Sequence, residues 1–253
     1  MQKTALLLLL ALIAGCASTP AAKPDPRDPW ERFNRASFKF NDALDRAIAR
    51  PAAKAYVKVT PRILRTGISN ALSNLSTVPT VINDTLQGKM RQAGRDSARF
   101  LLNSTLGLGG LFDPASAAGL ENNDEDFGQT LGKWGVKSGP YLMLPILGPS
   151  TVRDIFGRGV DQFTYPVNYL DDTSTRYIIS AVDFLDLRAS LLDLDAQLER
   201  SYDRYAFVRN AWLQRREYKV KDGNVEDESL ELEEGFAEDP ATDPATDPAP
   251  EKK

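Results

Sequence analysis

The sequence predicts a mostly α-helical body with low strand content and room for one short hairpin. Three observations carry that reading. Apolar residues recur at helical spacing, as in Ile63, Leu64, Gly67, Ile68, Ala71, Leu72 and Leu75, which is the period of one helix face. Helix-start signals stand before such runs, at Asp28-Pro29-Trp30-Glu31 and at Thr60-Pro61. No stretch sustains the apolar/polar alternation that marks a half-buried strand.

The elements follow in order. Asp28 reads as an N-cap, with Pro29 at the first helical position and Glu31 as the reciprocal acid. Behind it Phe33, Ala36, Phe40, Ala43, Leu44 and Ala47 form a stripe. The helix after Thr60-Pro61 carries its apolar stripe opposite Ser69, Asn70, Ser73 and Asn74, a face that is polar but barely charged. Pro79 is expected to interrupt it, because proline lacks the N–H and crowds the preceding turn. Gly88 then closes a further short helix. Another runs from Arg91 to Asn103. Two late helices cover about 175–200, with a break near Asp186, and 202–218.

The chain begins with an address. Met1-Gln2-Lys3 is a short positive head, Ala5 to Ala14 is an unbroken apolar run, and small residues lead to Cys16. That order is the head, apolar region and cleavage region of a secretory signal. The run is shorter than the roughly 20 residues a membrane-spanning helix needs. Ile13-Ala14-Gly15-Cys16 resembles the bacterial lipobox, which implies that Cys16 becomes an acylated N-terminus. Each buried CH₂ contributes about 0.8 kcal/mol, and several chains together anchor stably. Ala17, rather than an aspartate, follows the cysteine. Among bacterial lipoproteins that points to the outer membrane, periplasmic side. The expected organisation is a signal peptide over 1–15, a lipidated tether over 16–27, one body over 28–220 and a disordered acidic tail over 221–253. The tail repeats Asp-Pro-Ala-Thr and has few large apolar residues, a composition that does not support a packed core.

The formal charge of −4 hides two unlike parts: residues 221–253 carry a net −9 and residues 17–220 a net +4. The body is thus mildly basic. The chain has no histidine and a single cysteine. This excludes Ser-His and Cys-His catalysis, argues against a zinc site and leaves no disulfide within the chain. No cofactor, no metal and no nucleic-acid partner are expected. A carboxylate-pair hydrolase acting on peptidoglycan would have to use Asp124/Asp126 or Asp171/Asp172. Adjacent acids in polar turns read more simply as caps or solvated loop residues.

Three features ask for more than a soluble bundle. Phe100 to Phe112 and Ser138 to Val152 carry no charge and are rich in glycine or proline. Irregular backbone is costly in hydrocarbon unless protein or water satisfies it. These segments therefore pack on the body, dip into a headgroup region or line a passage, and the sequence leaves the three open. Arg91, Arg95 and Arg99 stand at i, i+4 and i+8. They read as one basic ridge, suited to phosphate oxygens or simply solvated. The uncharged polar face around Ser69 to Asn74 suits a hydrated path, a partner or close helix packing.

The motifs DPWERFNRASFKFND, VPTVINDTLQGK, RFLLNSTLGLGGLFDPA, DFGQTLGKWGVKSGPYLMLPILGPSTVRD and YPVNYL together resemble the MlaA/VacJ family of outer-membrane phospholipid-transport lipoproteins. The resemblance runs from Cys16 to about Tyr218 and does not cover the acidic tail. It implies a ring of amphipathic helices around a central channel, lying in the inner leaflet of the outer membrane. It implies removal of phospholipid that has strayed into the outer leaflet, hand-over to a periplasmic lipid carrier protein and association with a trimeric porin. No bond is broken in such a passage, so the chain is expected not to be an enzyme. The other readings are a structural porin-associated lipoprotein and the hydrolase above. Within the family reading, Cys16 is the anchor. Phe33, Asn34 and Phe38 pack the first helix and set the channel's shape. Tyr141, Leu142, Met143, Leu144 and Ile146 form a mobile lip or apolar rim. Arg91, Arg95, Arg99 and Arg176 meet headgroups. The late helix around Arg209 to Arg216 and the acidic tail face the periplasm.

Overall fold

A run of local signals sets the order of elements, and a computed structural model describes them over residues 25–224. Cys16, the expected signal peptide and the tail beyond 224 lie outside the described residues. Helix α1 (Glu31–Leu44) passes through a π-helical turn (Asp45–Ala49) into α2 (Arg50–Val59). Then come α3 (Arg62–Leu86), α4 (Met90–Thr105), the short α5 (Pro114–Ala117) and α6 (Phe127–Lys133). A hairpin of β1 (Tyr141–Leu144) and β2 (Gly148–Thr151) precedes α7 (Val152–Asp161). The described residues close with α8 (Thr173–Ser190), α9 (Asp195–Arg200) and α10 (Arg204–Val220), with 3₁₀ turns at Pro166–Tyr169 and Leu192–Leu194. The fold is mostly all-α, as expected, and the hairpin is present, antiparallel with Tyr141 opposite Thr151 and Leu144 opposite Gly148.

The contacts between elements close on themselves. Helix α1 packs on β1, β2 leads into α7, α7 packs on α6, and α6 on α3. Helix α3 meets α8, and α8 meets α2, which continues α1. The result is a ring of helices. Helix α4 runs back along α3, and α10 lies against α6 and β2.

Four local expectations need correcting. Asp28 does not cap α1: the helix starts at Glu31 with Trp30 at the cap position and no side-chain cap. The buried Asp28 carboxylate is taken instead by Asn34 Nδ2 (2.7 Å), Arg209 (3.0 Å) and the Tyr205 hydroxyl. Pro79 does not interrupt α3, which runs straight through it. Around it Ser76, Thr77 and Thr80 donate their hydroxyls to carbonyls four residues back. Proline supplies no N–H to the Leu75 carbonyl, and these bonds, which go to Leu72, Ser73 and Ser76, tie hydroxyls into the neighbouring turns without replacing it. Gly88 therefore ends this same long helix, at φ +78°, rather than a separate one. The late break falls at Leu191–Leu194, not near Asp186.

Burial is inverted relative to a soluble bundle. The buried side chains of α3 are Asn74, Thr77, Thr80, Asn83 and Asp84, while Ile63 is 76% exposed and Leu64, Ile82 and Leu86 are exposed too. In α1, Asn34 and Ser37 are buried while Phe33 and Phe40 face out. One small apolar core stands where α1, the hairpin and α10 meet. Tyr141, Met143 and Tyr205 form it, with Phe38, Val208, Trp212 and Leu213 packed around them. The rings of Phe38 and Tyr205 meet edge to face at 5.8 Å, and those of Tyr141 and Trp212 at 6.0 Å, a favoured aromatic geometry.

Candidate functional site

The interior is built from polar side chains that complete one another's hydrogen bonds. Asn83 of α3 donates to Asp161 of α7 (3.0 Å) and accepts from Thr130 of α6 (2.8 Å). Asp161 also receives the N–H of Phe127 at the start of α6. Arg216 of α10 reaches across to Asp126 and, at 2.8 Å, to Asp154. Asp154 in turn receives the hydroxyl of Thr151, the residue that caps α7. Burial opposes the charge on Asp126, but the Arg216 guanidinium overrides it and holds that carboxyl below its usual range. A buried charge is tolerated when it is paired in this way.

This network requires helices α6 and α7 to touch at the backbone. A Cβ on Gly157 would stand 2.4 Å from the Gly128 nitrogen, so two glycines form the crossing. A second close approach is at Gly110, where φ is +94° and a Cβ would meet that of Asn74 at 2.7 Å. The uncharged segment from Phe100 to Phe112 is thus wrapped onto α3, and Asn74 donates to Ser104 (2.9 Å). The polar α3 face serves helix packing at Asn74 and lines a cleft at Asn70.

Two open clefts border this body. The first, of about 530 Å³, opens at the N-terminus of α4 among Lys89, Arg91, Gln92, Arg95, Glu121 and Asn123. Helix α4 has no side-chain cap, so its first N–H groups are unsatisfied within the helix. The second, of about 430 Å³, is amphipathic: Ile63, Leu111 and Phe112 on one hand, Arg62 and Asn70 on the other.

The expected site residues divide. Asn34 is fully buried and ties α1 to the hairpin: its Nδ2 donates to the Tyr141 carbonyl (3.0 Å) and its Oδ1 accepts the Met143 N–H (2.8 Å). Phe38 packs in the apolar core. Phe33 does not pack inward; it is half exposed on the outer face of α1. Tyr141 and Met143 are core residues rather than rim, with Leu142 and Leu144 at intermediate depth. Only the hairpin tip, Ile146 with Leu147, is an exposed lip. The three arginines do not form one open ridge. Arg99 is 5% exposed and donates to Asp113 (2.6 Å), Ser116 and the Leu120 carbonyl. The α-helix advances 400° in four residues, so each arginine sits about 40° round from the last, and the third has turned inward. Arg91 and Arg95 remain in the first cleft, with Arg95 also donating to the Gly119 carbonyl (3.2 Å). Arg176 stands apart, held by the Asn168 carbonyl and Thr173. Arg209 and Arg216 face inward, so the late helix offers Arg215 and Glu217 to solvent instead.

Three of the four acids weighed for hydrolysis are occupied, and Asp171 is exposed. Asp126 caps α6 and Asp172 caps α8, while Asp124 pairs with Lys219. Asp222, the first acid of the tail, pairs with Lys89 and Lys133. Sequence reasoning missed Asn41. Its Nδ2 donates to the Leu144 carbonyl (2.9 Å) and its Oδ1 accepts the Ile146 N–H (2.7 Å). Ile146 has φ +68°, which is unusual for a β-branched residue, and this clamp holds it there. The one available signal was spacing: Asn41 follows Asn34 by two turns, on the same helix face.

The comparisons with known proteins agree with this architecture. The family model described as MlaA lipoprotein matches residues 26–219. The chain is 37% identical over 229 residues to the intermembrane phospholipid transport system lipoprotein MlaA of Escherichia coli, covering 89% of this chain and 91% of that one. It is 37% identical to an uncharacterized protein of Rickettsia prowazekii over 196 residues, 77% of this chain and 78% of that one. A solved structure described as the structural basis for maintenance of bacterial outer membrane lipid asymmetry superposes with TM-score 0.70 at 39% identity, covering 76% of this chain and 98% of that one. A closed ring of helices, polar within and apolar without, carried on the five motifs and matched over nearly its whole body, places this chain in the MlaA lipoprotein family.

Proposed function

We propose that this protein is an acyl-anchored lipoprotein of the outer membrane that removes misplaced phospholipid from the outer leaflet and passes it to a periplasmic carrier. The observation that carries the reading is the inverted burial: hydrogen-bonded polar side chains inside, and exposed Phe33, Phe40, Ile63, Leu64, Phe156 and Phe163 outside. An exterior of that kind suits hydrocarbon and not water. No described helix is long and apolar enough to cross a membrane, so the ring lies within one leaflet, tethered by Cys16. Its polar interior shields a headgroup from hydrocarbon while the acyl chains stay outside. The names of the similar proteins, which concern phospholipid transport and lipid asymmetry, support this direction.

Arg91 and Arg95, in the cleft at the start of α4, are the headgroup contacts. Guanidinium forks and unsatisfied helix N–H groups both suit a phosphate. The exposed hairpin tip at Ile146 is the rim, and a trimeric porin holds the ring in place. The passage breaks no covalent bond and sets no direction of its own; the carrier downstream does. The test is the amount of phospholipid in the outer leaflet, measured with and without this gene. Deletion raises it, and restoration with Arg91→Glu/Arg95→Glu, at normal protein level, fails to lower it. Unchanged outer-leaflet lipid on deletion would leave a structural lipoprotein only.

A further inference from the structure

Two carboxylates face each other across the packed helices α3 and α4. Asp84, in the last turn of α3, is fully buried, and neither of its oxygens has a hydrogen-bond donor. Its neighbour is Asp96 of α4, 1% exposed, whose two oxygens accept from Asn123 Nδ2 at 3.2 and 3.0 Å. The other charged groups facing Asp84 are Glu125, before α6, and Lys89, in the turn between the helices. Lys89 is committed to Glu125 (2.9 Å) and to Asp222. One ammonium thus serves two carboxylates, and none of its hydrogen bonds reaches the Asp84 carboxylate. Two ionised carboxylates in that position would repel each other out of contact with water, a costly arrangement.

We propose that Asp84 and Asp96 share a single proton, forming a buried acid pair that fastens the end of α3 to α4 beside the arginine-lined cleft. The hydrogen sits between the two carboxyl groups, so one donates and the other accepts, and Asp84 gains its missing partner. Asn123 connects the pair to the cleft, because it lines that cleft and donates to Asp96. Loss of the proton would place a second negative charge between the helices, next to Asp96 and Glu125, and weaken the hold of α3 on α4. Burial, with Asp96 next to it, pushes the Asp84 carboxyl up to about 8. A carboxyl raised in the folded state contributes stability that is full below its ordinary range near 4 and is lost as pH rises through about 8.

The experiment uses the full acylated chain in detergent micelles. Difference infrared spectra are recorded across neutral pH for wild type, Asp84→Asn and Asp96→Asn, and melting curves are recorded from mildly acid to alkaline pH. Asparagine at 84 is neutral and supplies an N–H to Asp96, so it keeps the bond with no proton to lose. The expected result is a protonated-carboxyl band at neutral pH in wild type that either substitution removes. The wild-type melting temperature falls by several degrees towards alkaline pH, while that of Asp84→Asn stays level. Absence of the band in wild type, or its survival in both variants, overturns the proposal. So does a rise in wild-type melting temperature on adding calcium or magnesium alone that Asp84→Asn lacks, since a metal ion would then hold the pair.

Discussion

At the scale of single residues the structure depends on a few buried polar side chains that each satisfy several partners. Asn34 answers Asp28, the Tyr141 carbonyl and the Met143 N–H at once. Truncating it leaves buried backbone groups unpaired, a penalty of about 1–3 kcal/mol. Asn34→Ala is therefore expected to lower the melting temperature without moving the secondary structure, as read by calorimetry and circular dichroism. Arg216 is the stronger case, because it neutralises both Asp126 and Asp154 inside the ring. Arg216→Met leaves half-buried Asp126 without its cation, while Asp154 keeps Arg153, and removing one partner of a largely buried pair costs up to about 3–5 kcal/mol. The pH dependence has a definite sign. Asp126 is held below its usual range, so its contribution is full above that range and lost as pH falls through the lowered value. Denaturant melts should show the gap between wild type and Arg216→Met narrowing in acid. Near-equal stability at neutral pH would mean the network is not what closes α10 onto the ring.

At the scale of elements the deciding contacts are places where backbones meet. Helices α6 and α7 cross at Gly128 and Gly157, with no room for a methyl group between them. Gly157→Ala is expected to cost about 1–3 kcal/mol through overpacking, and a chemical-denaturation midpoint reads it directly. Gly159, two residues on, meets nothing within 4 Å, so Gly159→Ala serves as the control and should be neutral or stabilising. The helices themselves were legible because the 3.6 period survives whichever way a face points. What the period does not tell is direction: the stripe of α1 faces outwards, and that of α3 is exposed at Ile63 and Leu64 and half-buried from Gly67 to Leu75. The period therefore does not reveal that Phe33 faces out, and an uncharged run rich in glycine and proline gives no sign that Tyr141 and Met143 enter the apolar core. Pro79 misled because a proline is read against an isolated helix, whereas the packing of α4 along α3 supports this one. Arg99 could not be told from Arg95 by spacing, since its partner Asp113 lies beyond a loop whose fold depends on Gly110. Asn34 and Asn41 mark the same limit: nothing local tells whether an asparagine clamps a distant hairpin.

At the scale of the whole molecule the question is which solvent the outer face was selected for. In water, exposed Phe33, Ile63, Phe156 and Phe163 would be a liability, because a contiguous apolar exterior drives association. In a leaflet the same residues are the stabilising contact, at roughly 25 cal/mol for each Å² withdrawn from water. The two settings predict opposite outcomes for one substitution set. Ile63→Glu and Phe156→Glu touch no interior partner, so the fold in detergent should change by no more than about 0.5 kcal/mol each. Membrane association should fall steeply, and it is best measured on a Cys16→Ser chain, which removes the proposed acyl anchor. Flotation of that chain with phospholipid vesicles should succeed with the natural outer face and fail with the double glutamate variant. Equal flotation of both would mean that the ring sits on the bilayer surface through its arginines alone, and high salt would then release it.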